Sequence, residues 1–242
     1  MKYIYNILTL IIIVLLLSSC TYYEIKNDGV YYKSWNEAHG KSSYLIPDAD
    51  QNTFEILSDK LYGKDKNFVF YEGYKVPGAD PSSFKLLENM YAIDKHRAFV
   101  AGDSITNSNS DGFEIIANFY SKDKNDVYYG KKPLNVCSIK DFKPVYSDDF
   151  ESNWATDGCY YYIRNFKIPS KEYQNVKLFK ESAGIAMDSK YVYYLGRNIY
   201  FNEKGKRVLD TIDIVSFQVT DYISCEDKYG CINVYHGRDD CD

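Results

Sequence analysis

The sequence is poor in the residues that most often carry chemistry. Its 242 residues hold 3 His, 2 Trp, 3 Met and 6 Pro, and no G-x-S-x-G, H-E-x-x-H or P-loop motif occurs. His39, His96 and His236 stand beside no Ser or Cys in a nucleophile setting, so no enzymatic activity is expected. Basic residues are also short, 29 Lys and Arg against 34 Asp and Glu, for a formal net charge of -5. Nucleic-acid-binding domains carry a basic excess or stripe, so a nucleic-acid partner is excluded. Long apolar runs are missing too: the longest goes from Ile7 to Leu17, broken by Thr9, where a membrane-spanning helix needs about 20 residues. What is abundant is tyrosine, 26 of 242 residues, in a chain that is 45% hydrophobic. A chain of this length buries enough surface to fold as one or two domains.

Residues 1–19 read as a signal peptide, with Lys2, the apolar run and then Ser18-Ser19 before Cys20. Leu17-Ser18-Ser19-Cys20 resembles the lipobox of bacterial lipoproteins. That resemblance implies cleavage before Cys20 and fatty-acyl chains such as palmitate on it, anchoring the protein to a membrane at its extracytoplasmic face. The cell envelope is the expected location; Thr21 in place of Asp favours the outer membrane if the host has one. Residues 20–28 are expected to be a lipidated linker.

The body is repetitive. Asp65-Lys66-Asn67-Phe68-Val69-Phe70-Tyr71-Glu72-Gly73, Asp123-Lys124-Asn125-Asp126-Val127-Tyr128-Tyr129-Gly130 and Asp188-Ser189-Lys190-Tyr191-Val192-Tyr193-Tyr194-Leu195-Gly196 share one pattern. Looser copies start at Asp94 and Asp157, a period of about 30 residues. A second alternating element recurs as Thr53-Phe54-Glu55-Ile56-Leu57, Ser83-Phe84-Lys85-Leu86-Leu87 and Ser216-Phe217-Gln218-Val219. The expected fold is all-β: tandem β-hairpins in an open stack or β-solenoid over 29–220, with a small β-propeller-like closure as the alternative and a Cys-rich cap over 221–242.

The Asp-Lys-Asn-x-Val-Tyr-Tyr units resemble the DKNYY repeat family from about Gly29 to about Gly237. The resemblance implies architecture and no catalytic residues. In each unit the Asp oxygen is suited to accept backbone N–H bonds at the start of a strand, Asn tolerates left-handed dihedrals, and the Gly after the Tyr pair reverses the chain. Of two adjacent strand tyrosines, one faces the core and one faces out. A wall of Tyr128, Tyr129, Tyr193 and Tyr194 is the candidate binding surface, since Tyr offers a flat apolar face and a hydroxyl.

With Cys20 acylated, Cys137, Cys159, Cys225, Cys231 and Cys241 remain. In an oxidising compartment these are candidates for disulfides, Cys137 with Cys159 and one pair among the other three, leaving one free thiol. The tail set Cys225, Cys231, His236 and Cys241 also has a tetrahedral zinc composition; zinc is the second reading there, and no metal or cofactor is the first. Asn107-Ser108-Asn109-Ser110-Asp111-Gly112 resembles the start of a Ca²⁺ loop, but Asn107 and Asn118 replace its Asp and its Glu, which makes it a polar turn. The acidic pairs Asp148-Asp149 and Asp239-Asp240 read as solvated surface. The expected function is a non-enzymatic binding or interaction module, with the membrane met through the anchor and an extracytoplasmic protein, peptide or glycan as partner. A structural envelope protein and a cell-wall polymer hydrolase are the alternatives.

Overall fold

The computed structural model describes residues 22–38, 40–117, 119–146, 153–199, 201–203, 206–208, 212–235 and 237–239. The expected signal peptide, Cys20, His39, Asn118, Asp148-Asp149, His236, Asp240 and Cys241 lie outside them. Apart from one 3-10 turn at Tyr173–Asn175, the described residues form strands and turns. No helix among them is long and apolar enough to cross a membrane.

The fold is all-β, and each repeat is a small antiparallel sheet whose strands are consecutive in sequence. The first sheet has three strands, Tyr22–Lys26, Gly29–Asn36 and Gly40–Leu45. The second comprises Glu55–Ile56, Tyr62–Lys64, Val69–Tyr71 and Tyr74–Lys75. The third comprises Lys85–Leu86, Tyr91–Ile93, Ala98–Val100 and Asp103–Ser104. The fourth comprises Glu114–Ala117, Tyr120–Lys122, Val127–Tyr129 and Lys132–Pro133. The fifth comprises Lys143–Pro144, Trp154–Thr156, Tyr161–Ile163 and Phe166–Lys167. The sixth comprises Lys177–Leu178, Ile185–Met187, Val192–Tyr194 and Arg197–Asn198. A two-stranded ribbon, Phe201–Glu203 with Lys206–Val208, precedes the last sheet. That sheet comprises Gln218–Val219, Ser224–Asp227, Gly230–Asn233 and Gly237–Asp239.

The fold is thus the expected series of tandem β-hairpin repeats, with a further short strand on either side of most hairpins making a four-stranded meander. Four strands fit in so short a unit because most span two or three residues and, in the second to sixth sheets, the third and fourth are joined by a two-residue loop. Tyr71 pairs with Tyr74 across Glu72-Gly73, and Tyr194 with Arg197 across Leu195-Gly196. Both residues of each loop have positive φ, which matches the right-handed twist of the flanking strands. The left-handed residues thus sit at this reversal, not at Asn67 or Asn125 of the Asp-Lys-Asn turn. Within the expected linker, Tyr22–Lys26 form the first strand, and the expected cap over 221–242 supplies three of the four strands of the last sheet.

The chain divides after Ser104 into two compact units. In the first, apolar cores lie between successive sheets: Tyr23, Tyr32 and Phe70 in one, Tyr62, Phe84 and Phe99 in the next. In the second, Tyr120, Phe142 and Tyr162, then Trp154, Ala186 and Tyr193, then Val192, Phe217 and Ile232 do the same. Within each unit, tyrosine hydroxyls tie several sheets to the next. The Tyr23 hydroxyl donates to Leu61 O at 3.0 Å and accepts from Gly73 N at 3.0 Å. Tyr62 repeats this with Met90 O and Gly102 N, and Tyr120 donates to Asn153 O at 2.6 Å. A buried hydroxyl needs such a partner, and the hairpin end of the next sheet supplies it.

Each turn before the third strand of these meanders is organised by one buried Asp. One oxygen of Asp65 accepts from Asn67 N and Phe68 N, both at 2.7 Å, while the other accepts from Asp50 N at 2.8 Å. Asp94, Asp123, Asp157, Asp188 and Asp227 repeat the arrangement, each also gripping the loop before its own sheet through Asp80 N, Asn109 N, Cys137 N, the Ser170 hydroxyl and Asp213 N respectively. A buried carboxylate is tolerated only when its lone pairs are filled. The Lys of the motif closes the same junction from outside: Lys66 with Asp50, Lys95 with Asp80, and Lys228 with Asp213, at 2.9, 2.7 and 2.7 Å. In the fifth sheet a disulfide between Cys137 and Cys159 stands where the second, third and last sheets have that ion pair.

These contacts set a pH dependence. Burial raises the carboxyls of Asp157, Asp188 and Asp227, but the hydrogen bonds they accept outweigh it, so all three titrate below the usual carboxylate range. The ion pair with Lys228 and bonds from Ser216 hold Asp213 down at about 2. A depressed native pKa means that the unfolded chain takes up protons first as pH falls. Stability is then fully present above about pH 4, the unfolded-state value, and is lost as pH drops through the native values towards 2. Urea midpoints measured from pH 7 to 2.5 should be flat to about pH 4.5 and fall below it; a flat profile throughout would contradict the clamps.

Candidate functional site: an aromatic rim on the second unit

The third strand of the fourth and sixth sheets carries the adjacent tyrosines, and the pleat sends them opposite ways. Tyr128 and Tyr193 point inward, 0% and 2% exposed. Their hydroxyls donate to the motif carboxylates, Tyr128 to Asp123 at 3.0 Å and Tyr193 to Asp188 at 2.6 Å. Those two tyrosines are therefore core residues, and the expected binding wall loses them. Tyr162 does the same for Asp157 at 2.6 Å, while Phe70 and Phe99 occupy the corresponding place above Asp65 and Asp94.

Tyr129 and Tyr194 are half-buried at the hairpin end of their sheets. Tyr129 lies edge-on to Tyr120 with ring centres 5.1 Å apart, and Phe119, 48% exposed, flanks it at 5.8 Å. Tyr194 meets Tyr235 edge-on at 5.4 Å, and its hydroxyl donates to the Tyr235 hydroxyl at 2.6 Å. Arg164, exposed in the two-residue loop of the fifth sheet, lies near both clusters. Burial raises both phenols, and the Arg164 charge, close enough to act on Tyr129 and on Tyr194, opposes that rise. Tyr222 and Tyr235 extend the rim at 56% and 63% exposure. Sequence reading missed Arg164, since a lone Arg after Ile163 shows no sign of where its loop will stand.

The cysteines separate into three environments. Cys137 and Cys159 are joined, with an S–S distance of 2.01 Å. They and Asp157 form the group nearest to a metal-ligand set among the described residues, but the sulfurs are bonded to each other and the carboxylate is filled by four donors. Cys231 is oxidised, and Cys225 is a free thiol. Cys225 is fully buried in the last core, and burial pushes its thiol up to about 12. Of the tail set, Cys225 is thus a buried core thiol and Cys231 is in a disulfide, while His236 and Cys241 lie outside the described residues. His96 is exposed in the Asp94 turn. Asn109 sits in the loop gripped by Asp123, so the segment 107–112 is a structural turn.

The recurrence of the Asp clamp is mirrored in the family comparison: the DKNYY family profile matches residues 62–197, more than half of the sequence. The chain belongs to the DKNYY family. Comparison with curated proteins and with solved structures gave no match. The DKNYY signature acquires a physical meaning here: Asp is the clamp, Lys its outer ion pair, and the first aromatic of the pair the core residue over the clamp. The last sheet, beyond the matched span, has the same construction around Asp227, with the Arg238 guanidinium bonded to both its oxygens at 2.7 and 2.6 Å. Its sequence signal, Asp227-Lys228 eleven residues after Ser216, was present but lacked the Tyr pair.

Proposed function

We propose that this DKNYY protein is a lipid-anchored, extracytoplasmic binding module without enzymatic activity, and that the rim around Arg164 receives a glycan chain. The observation that carries this reading is an exposed guanidinium near both Tyr129 and Tyr194, each a half-buried ring beside an exposed one, Phe119 and Tyr235. Flat aromatic faces suit sugar rings, hydroxyls suit their polar edges, and a guanidinium suits a carboxylate or phosphate on the same chain. The oxidised Cys137–Cys159 pair supports a compartment outside the cytoplasm, consistent with the lipobox-like end of the leader. Membrane contact in this reading runs through acylated Cys20.

The test is retention on envelope polysaccharide of the protein and of a Arg164→Gln/Tyr222→Ser/Tyr235→Ser variant, with melting temperature as the fold control. These side chains are exposed, so the variant should fold. Loss of three anchors should weaken binding by about tenfold or more. Equal retention of the two proteins would sink the rim as the binding surface, and crosslinking to neighbours in proportion to their abundance would favour the structural envelope role.

A further inference from the structure

The first sheet has two unlike faces. Tyr23, Val30 and Tyr32 face the second sheet and are buried. The strand register puts Tyr22 opposite Lys33, Glu24 opposite Tyr31, and Trp35 opposite Lys41 on the other face. There Tyr22, Trp35 and Leu45 are 42%, 48% and 50% exposed. Lys26 lies over the Tyr31 ring at 4.4 Å and Lys33 over Tyr22 at 5.4 Å, with Glu24 bonded to both ammonium groups. Trp and Tyr among Lys is the composition of residues that sit at a membrane interface, where amphipathic rings match the headgroup layer and lysines reach phosphates.

What covers this face follows from the chain. Cys20 precedes Tyr22 by two residues, a tether of at most about 7 Å when fully extended. Tyr22 and Trp35 lie at that end of the sheet, since Tyr22 pairs with Lys33 and Trp35 follows by two. A headgroup region is several Å deep on each side of the hydrocarbon. An acylated Cys20 therefore leaves the Tyr22–Trp35 end of the face no room to stand clear of the bilayer.

We propose that the outer face of the first sheet is a membrane-seating surface, with Tyr22 and Trp35 in the lipid headgroup layer, so that the anchor orients the protein as well as tethering it. This rests on the acylation of Cys20. The test uses protein extracted from its own membranes, whose intact mass first establishes whether Cys20 carries acyl chains. It is then reconstituted into phosphatidylcholine/phosphatidylglycerol vesicles containing headgroup-nitroxide lipid, and Trp fluorescence is read. The chain has two Trp; Trp154 is 1% exposed and serves as the internal control. The expected result is quenching of Trp35 several-fold stronger than that of Trp154, lost in Trp35→Phe. An acylated protein whose Trp35 is quenched no more than Trp154 overturns the seating surface while leaving the anchor standing. A mass without acyl chains overturns the anchor and this inference with it. Trp35 shielding that appears without lipid and grows with protein concentration assigns the face to a second copy of the chain and also overturns it.

Discussion

Asp188→Ala is expected to destabilise the second unit by about 3–4 kcal/mol, because the carboxylate is the common acceptor for groups that cannot find water. Its oxygens accept from Lys190 N and Tyr191 N at 2.8 Å each and from the Ser170 and Tyr193 hydroxyls at 2.6 Å each. Removing it strands all four donors at a residue only 5% exposed. For a unit of this size the loss corresponds to roughly 10 °C in melting temperature. Tyr193→Phe makes the internal comparison, since Phe70 and Phe99 already fill the same place in the first unit; it should cost only about 1 kcal/mol. Comparable losses for the two variants would mean that the aromatic packing, not the carboxylate, holds the turn.

Gly102→Val should be of similar severity, about 3–5 kcal/mol, for two additive reasons. Gly102 has φ +79°, a region that a β-branched residue enters only with strain. A Cβ there would also lie 2.8 Å from Tyr71 Cβ and 2.9 Å from its ring. That ring has nowhere to retreat, packed on Tyr62 with centres 4.7 Å apart. Gly112→Ala separates the terms: φ is +72° but nothing lies within 4 Å of the added Cβ, so only the backbone cost of about 1 kcal/mol should appear. Denaturation of both variants by urea measures the difference, and equal losses would show that the contact with Tyr71 is not made in solution.

The parts of this fold that were legible in advance are those decided within a few residues. Asp65, Asp123 and Asp188 announce their turns because the side chain binds N–H groups two and three positions ahead, an interaction that local sequence specifies. Gly73 and Gly196 announce the reversal for the same reason. The strands Tyr62–Lys64, Tyr91–Ile93 and Tyr120–Lys122 escaped notice because three residues cannot display an alternation. Their one regular mark is a Tyr three positions before each Asp, which becomes meaningful only when the hydroxyls of Tyr62 and Tyr120 are seen to reach the following sheet.

The sequence by itself determined the β class, the period of about 30 residues and the position of five of the six Asp turns, because these follow from side chains acting on their own backbone. Only the tertiary structure decided which tyrosine of a pair is core, that Cys225 is a buried thiol, that a disulfide replaces an ion pair in one repeat, and that Arg164 comes near both Tyr129 and Tyr194. Each of these depends on what a neighbouring sheet places against the residue. Short strands leave that choice to the stacking of whole repeats, where burial is shared between units far apart in sequence.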